Sequence, residues 1–169
     1  MKIRQETPLD FKSVYTLNHL AFKQEGESQL IEKIRMGDTF IPELSLVAEQ
    51  DEKVIGHILF SKTKIIGEQT YPSLALAPMS VHPDFQNKKI GSELITIGLQ
   101  IAKKLNFEHV IVLGHKNYYP KFGFQKASTW NIRCPFEVPD DHFMAIELVE
   151  RSLENKGGLV EYPPVFYEV

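Results

Sequence analysis

The segment Gln86-Asn87-Lys88-Lys89-Ile90-Gly91-Ser92 carries the strongest chemical signal in the chain. An apolar strand, Ser73 to Val81, ends shortly before it, and the clearest helix of the sequence, Ile90 to Leu105, opens within it. The first amides of a helix have no partner inside it, and the helix dipole favours negative charge at that end. A polar turn leading into such an end can cradle a phosphate or pyrophosphate. Gly91 lets a ligand approach the backbone closely, and Lys88 and Lys89 add positive charge. The plainer reading is an ordinary turn beside a solvated helix face.

A second constellation follows at Asn117-Tyr118-Tyr119-Pro120-Lys121-Phe122-Gly123-Phe124. It offers two phenols and a lysine. The residue before a proline is biased away from helical geometry, so Tyr119 is expected at the entrance of a short helix, with one tyrosine of the pair packed inward. His115 lies just before, and its usual pKa suits proton transfer near neutrality. The plainer reading is a loop histidine held by local hydrogen bonds. Phe122 and Phe124 read as core.

These residues need elements to hold them. Lys2 to Gln5 reads as a short strand. Thr7-Pro8-Leu9-Asp10 reads as a helix start, because threonine can accept from the first free amides and proline suits the first turn. Phe11, Val14, Tyr15, Leu17, Ala21 and Phe22 supply that helix with an apolar face. Ser28 to Met36 reads as a second helix with Leu30, Ile31 and Ile34 inward. Leu44 to Glu49 and Val54 to Ile65 form a hairpin through the polar turn Gln50-Asp51-Glu52-Lys53. In its second strand Ile58 and Phe60 partly alternate with His57, Leu59 and Ser61. Pro78 cannot donate to a ladder, so either an edge position or a local break in pairing is expected for Ser73 to Val81. Ile90, Leu94, Ile97, Ile101 and Leu105 form one helical stripe. Val110 to Leu113 is an unbroken apolar strand, typical of one covered on both faces. Thr129 to Arg133 and Phe143 to Val149 read as two more strands. The order is mixed α and β, centred on a strand–loop–helix–strand unit whose strands run parallel.

Composition sets the bounds. The 169 residues suit one domain with a real core, and 43% hydrophobic with 24% charged residues is a soluble globular balance. No apolar run approaches the roughly 18 residues of a membrane span. The start, Met1-Lys2-Ile3-Arg4-Gln5-Glu6, lacks the apolar core of a signal peptide. The single cysteine, Cys134, excludes an intrachain disulfide and any multi-cysteine metal site. It reads as a packing residue in a reducing, cytoplasmic setting. The histidines have no metal-ligand spacing, so no metal is expected. A net charge of -3 argues against nucleic-acid binding. Its distribution says more: residues 1–85 carry -3, residues 86–126 carry +5 and residues 127–169 carry -5. The basic stretch coincides with the two constellations, as a site for a small polyanion requires.

Gln86-Asn87-Lys88-Lys89-Ile90-Gly91 resembles the Gln/Arg-x-x-Gly-x-Gly/Ala loop of the GNAT (GCN5-related N-acetyltransferase) superfamily. Gln86 and Gly91 match, while Lys89 stands where the first glycine is usual. That departure matters if the position requires a positive φ. The segment ending in Tyr119-Pro120-Lys121-Phe122-Gly123-Phe124 resembles the family's Tyr-x-Lys-x-Gly-Phe. The tandem tyrosine, the Phe-Gly-Phe run and the tail Gly158-Leu159-Val160-Glu161-Tyr162-Pro163 look like a bacterial, YhbS-like branch of acetyltransferases. Each motif alone is weak, but they occur in order and on the expected elements.

The resemblance implies a GNAT fold: a central mixed, mostly antiparallel sheet whose fourth and fifth strands splay, flanked by helices. It implies an N-acetyltransferase domain over residues 1–150, with 151–169 as an extension packing on it. It implies acetyl-CoA as co-substrate, with the pyrophosphate on Gln86, Asn87, Lys88, Lys89, Ile90, Gly91 and Ser92. The pantetheine arm would lie beside Met79, Ser80 and Val81, and Asn117 and Tyr119 would also touch the cofactor. An amide at Met79 or Ser80 would stabilise the oxyanion as a primary amine attacks in a ternary complex. Tyr119 would protonate the leaving thiolate, with Tyr118 as its competitor. The strand Ser73 to Val81 holds no carboxylate or histidine, which leaves His115 as the nearest base, with Glu25, Glu27 or a water chain as alternatives. The acceptor would be a small-molecule or peptide amine, and the C-terminal segment could pair across a homodimer. A GNAT-fold protein that binds acetyl-CoA without useful turnover is the alternative.

Overall fold

A computed structural model describes residues 1–168. The strands are β1 (Lys2–Gln5), β2 (Phe40–Gln50), β3 (Lys53–Ile66), β4 (Thr70–Val81), β5 (His109–Leu113), β6 (Gln125–Lys126), β7 (Ile132–Arg133), β8 (Phe143–Glu147) and β9 (Gly158–Glu161). The helices are α1 (Phe11–Phe22), α2 (Gly26–Arg35) and α3 (Ile90–Lys104). Along the sheet the order is β1-β2-β3-β4-β5-β8-β6, and β9 pairs with both β3 and β7. Every ladder is antiparallel except β4–β5 and β7–β9. The β4–α3–β5 unit is the parallel crossover expected from the sequence.

The sheet has a helix layer on each face. On one face α3 packs over Leu46, Ala48, Ile58, Phe60, Leu74, Leu76, Val110 and Val112. An apolar helix stripe against alternate strand residues buries both without exposing backbone. Phe60 is fully buried and lies against Gly98 of α3, where a side chain would collide with its ring. On the other face α1 and α2 set Val14, Leu30, Ile31 and Ile34 against Val47 and Leu59. A third cluster, around Ile65, Ala75, Ile111, Ile132, Phe143, Val160 and Tyr162, gathers the C-terminal elements.

Two features shape the centre. Ile58 pairs with Met79 and Phe60 with Leu76, so Leu59 alone faces both Ala77 and Pro78. This is a β-bulge at the proline, where a ladder donor is missing. The β4–β5 ladder covers only Leu74–Leu76 against Val110–Val112. Beyond it β4 continues to Val81 on β3 alone, and the two parallel strands part.

Some expectations are corrected. Phe11 and Phe22 are 36% and 37% exposed; Arg35 covers Phe11, its guanidinium 3.9 Å from the ring centroid. Instead of a strand over 129–133, residues Ala127–Trp130 form a 3₁₀ turn. Asn131 then takes a left-handed φ of 58°, so only two residues of strand follow. β8 stops at Glu147 because the amides of Leu148 and Val149 both turn to the Glu108 carbonyl, at 2.7 and 3.1 Å.

Candidate active site

The loop from β4 to α3 is tied down at its start. His82 N donates to Ile55 O at 2.8 Å, and the His82 ring accepts from Asp84 N at 3.1 Å. Gln86 sends its amide back to Val81 O at 3.3 Å. Asn87 and Lys89 then adopt left-handed φ values of 64° and 65°. Left-handed residues alternating with others turn successive amides into one concavity, a nest that suits an anion. Lys89 thus performs the backbone task of the family's glycine. A non-glycine residue there costs about 1–2 kcal/mol.

The first three amides of α3, from Ile90, Gly91 and Ser92, have no acceptor among the described residues, and Glu93 N closes the first turn on Lys89 O at 3.1 Å. They open onto a groove of about 320 Å³ lined by Met79, Val81, Phe85, Gln86, Asn87, Lys89, Ile90, Gly91, Ser92, Tyr118 and Lys121. A Cβ at Gly91 would stand 3.1 Å from Tyr118 Oη and 3.3 Å from Met79 Cε, so glycine is what lets both side chains reach the helix end. Larger depressions lie elsewhere, including one of about 890 Å³ between the β3–β4 turn and residues 154–158. That one joins no helix N-terminus to a parted strand pair, so size is the poorer guide here.

The groove gathers most of the expected cofactor contacts and leaves four outside. Met79 and Val81 point to the α3 side, and alternation turns Ser80 to the opposite face. Lys88 is exposed, its ammonium 5.2 Å from the Phe85 ring centroid. Asn117 is exposed and donates its amide to His115 Nδ1 at 3.2 Å. Tyr119 is 8% exposed and belongs to the core. Phe85, Tyr118 and Lys121 enter the groove wall unanticipated. A basic residue and a phenol in the Tyr119 segment were the available signal.

The two tyrosines divide the space. Tyr118 Oη lies 3.3 Å from Ser92 Oγ, and its ring meets that of Tyr119 edge-on at 5.2 Å. The Tyr119 ring packs against Phe124 at 5.6 Å and fits because Gly114, at the end of β5, has no side chain. Burial, helped by Tyr118, pushes the Tyr119 pKa up to about 12. His115 does not reach the groove: it is exposed, its Nδ1 is occupied by Asn117 N, and its ring faces His142 at 6.2 Å. Glu27 at the start of α2 accepts from Gln24 Nε2 at 2.6 and 2.9 Å. Glu25 is exposed at the cap of the same helix.

The sequence profile of the Acetyltransferase (GNAT) family matches residues 11–124. The chain is 31% identical over 163 residues to the Escherichia coli protein described as the uncharacterized N-acetyltransferase YhbS, covering 96% of each. It is 32% identical over 135 residues to the uncharacterized N-acetyltransferase YjhQ of Escherichia coli, covering 79% of this chain and 75% of that one. Its fold superposes on the crystal structure of Escherichia coli YhbS in complex with CoA, with a TM-score of 0.92 and 28% identity. That match covers 98% of this chain and 91% of the other. A GNAT acetyltransferase of Brucella melitensis in complex with acetyl-CoA follows, with a TM-score of 0.80, 28% identity, and 98% and 97% covered. With the parted strands and the amide-lined loop in place, these matches assign the chain to the GNAT acetyltransferase family.

Proposed function

We propose that the protein transfers an acetyl group from acetyl-CoA to a primary amine by direct attack in a ternary complex. The nest at Asn87–Lys89 and the free amides of Ile90–Ser92 supply donors for the pyrophosphate. Lys121 and the Tyr118 hydroxyl stand at its side. The parted edge of β4 offers its backbone to the pantetheine arm, and an amide at Met79 or Ser80 meets the oxygen of the thioester as charge develops there. Tyr119, neutral and shielded beside the end of β5, gives its proton to the thiolate that leaves. The single observation that carries this reading is the groove joining the α3 N-terminus to the strand edge at Met79 and Val81. Full-length protein mixed with acetyl-CoA and a panel of aliphatic and aromatic amines should release thiol faster with at least one amine. If no amine raises the rate and Tyr119→Phe changes nothing, the catalytic assignment is wrong.

The displacement of His115 from the groove favours a second reading, in which the protein binds acetyl-CoA without useful turnover. A thermal shift with CoA, together with inert amines across the panel, is the outcome that reading expects.

A further inference from the structure

The parallel ladder ends at Leu76 and Val112, which both belong to the core under α3. Alternation turns the next residue of each strand, Ala77 and Leu113, to the opposite face. There the gap between β4 and β5 opens on the far side from the groove. Ala77 is half-buried. Leu113 is 39% exposed, whereas the rest of β5 is buried. Its register partner on β8 is Phe143, which packs with Ala75 and Ile111 on that same face.

Phe143 also lines a cavity of about 370 Å³ built by residues 128–140. The floor is apolar: Ile132 and Phe143 are buried, and Cys134, Phe136 and Val138 are half-buried. Ser128, Arg133 and Asp140 stand exposed at the rim. Local contacts hold this shape. Phe136 sits against the rings of Tyr162 and Tyr167 at 5.5 and 5.4 Å, and its amide donates to Cys134 Sγ at 3.4 Å. Ser128 Oγ donates to Asp140 Oδ2 at 3.0 Å. An apolar floor with a few polar groups at the edge is the build of a small-molecule pocket. The volume stands at the small end of that class, which suits one aromatic ring. β8 lies one strand spacing, about 4.8 Å, beyond β5. A ligand with its nitrogen in the gap therefore needs a short alkyl linker before its ring meets Phe143.

We propose that the acceptor is an arylalkylamine whose ring seats on Phe136, Val138 and Phe143 while its nitrogen enters the gap between Ala77 and Leu113. The inference rests on the acetyl-transfer reading above and names the acceptor class for that site. Cofactor and acceptor then meet from opposite faces of the sheet, so both can be bound at once, as direct attack requires. The ammonium gives one proton to water on entering, and the neutral nitrogen attacks the thioester. As the C–N bond forms and the C–S bond breaks, the nitrogen releases a second proton to water, and the thiolate takes the Tyr119 proton, which water replaces. The products are the N-acetyl arylalkylamine and CoA. Asp140 and Arg133 carry opposite charges at the rim, so the apolar floor, not net charge, sets the preference. A polyamine would hold its second ammonium over that floor and beside Arg133, which is unfavourable on both counts.

The test uses the full chain with saturating acetyl-CoA and a panel of phenethylamine, phenylbutylamine, ethanolamine and spermidine. One of the arylalkylamines should give a kcat/KM about ten- to a hundredfold above ethanolamine and spermidine, the worth of burying one ring. Val138→Trp, which fills the cavity, should lower that advantage about tenfold and leave CoA affinity by calorimetry intact. A merely structural effect would instead lower every amine together, and the melting temperature with them. Methyl NMR reads the site without turnover: phenethylamine added to the CoA-bound chain should shift the methyl signals of Val138 and Leu113. Ethanolamine or spermidine as the best substrate, an advantage untouched by Val138→Trp, or silent methyls overturns the proposal. A chain that fails to bind CoA, or a panel inert throughout, overturns instead the reading beneath it, and the methyl titration still decides whether the cavity takes the ring.

Discussion

Tyr118 Oη and Ser92 Oγ stand 3.3 Å apart, so a phenol from the segment after β5 closes over the first turn of α3. Tyr119 next to it turns into the core. The two phenols should therefore separate in function. Tyr118→Phe should weaken CoA binding about fivefold, the worth of one hydrogen bond, with little change in kcat. Tyr119→Phe should lower kcat about a hundredfold with CoA affinity intact. Calorimetry and thiol release on the two variants check the division.

The lysines of the loop carry a second prediction. The double variant Lys88→Ala/Lys89→Gly removes both charges while glycine accepts the left-handed φ of 65° at no steric cost. It should bind CoA about tenfold more weakly at low salt, yet bind a phosphate-free pantetheine fragment unchanged. Equal losses for both ligands would return the lysines to a solvated face. Lys89→Val, with a β-branched residue forced to the same φ, should instead lower stability by about 1–2 kcal/mol.

Gly98 reverses a familiar rule. Glycine to alanine inside a helix ordinarily stabilises by about 1 kcal/mol. At Gly98 the new Cβ would fall only 2.7 Å from Phe60 Cζ, and Phe60 is fully buried. Gly98→Ala should destabilise by about 1–3 kcal/mol, the usual cost of overpacking. Urea denaturation decides the sign.

Stability should fall in mild acid. Burial holds His57 down to about 3 and His109 down to about 4, while the unfolded chain takes up protons below about 6.5. The unfolded state thus binds more protons between those values, and stability is full above about pH 6.5 and drains away as pH falls toward 4. Two such histidines amount to about 3 kcal/mol between pH 7.5 and pH 5.5. Asp10, held down to about 2 by Arg4, acts in the same direction at lower pH. Thermal melts over this range should show Tm falling, and His57→Gln should flatten the slope.

Much of this was legible in residues taken singly. The α3 stripe, the hairpin and the break at Pro78 follow from periodicity and a missing donor. Lys89 could be flagged because a positive φ was at stake. What the sequence withheld depends on which layer covers which face. His57 and Ser61 sit at polar positions of a partly alternating strand, a pattern that suggests water. α1 and α2 instead bury that face, and Asn18 with them. The Tyr118–Tyr119 pair was ambiguous for a similar reason, since neighbours in a tight turn point apart and only the absent side chain at Gly114 decides which one is swallowed. His115 drew attention by type, but a local amide claims its ring.

The ladder between β3 and β9 joins Lys64 to Glu161 and Ile66 to Leu159, pairing residues nearly a hundred positions apart. Closing so long a loop is entropically slow, though each further residue adds little. While the chain is being synthesised, the Lys64–Ile66 edge of β3 has β4 on one side and nothing on the other. β9 supplies the missing neighbour. That part of the sheet can therefore be completed only once residues 158–161 have left the ribosome, and a nascent protein stalled before Gly158 presents an open edge to any passing strand.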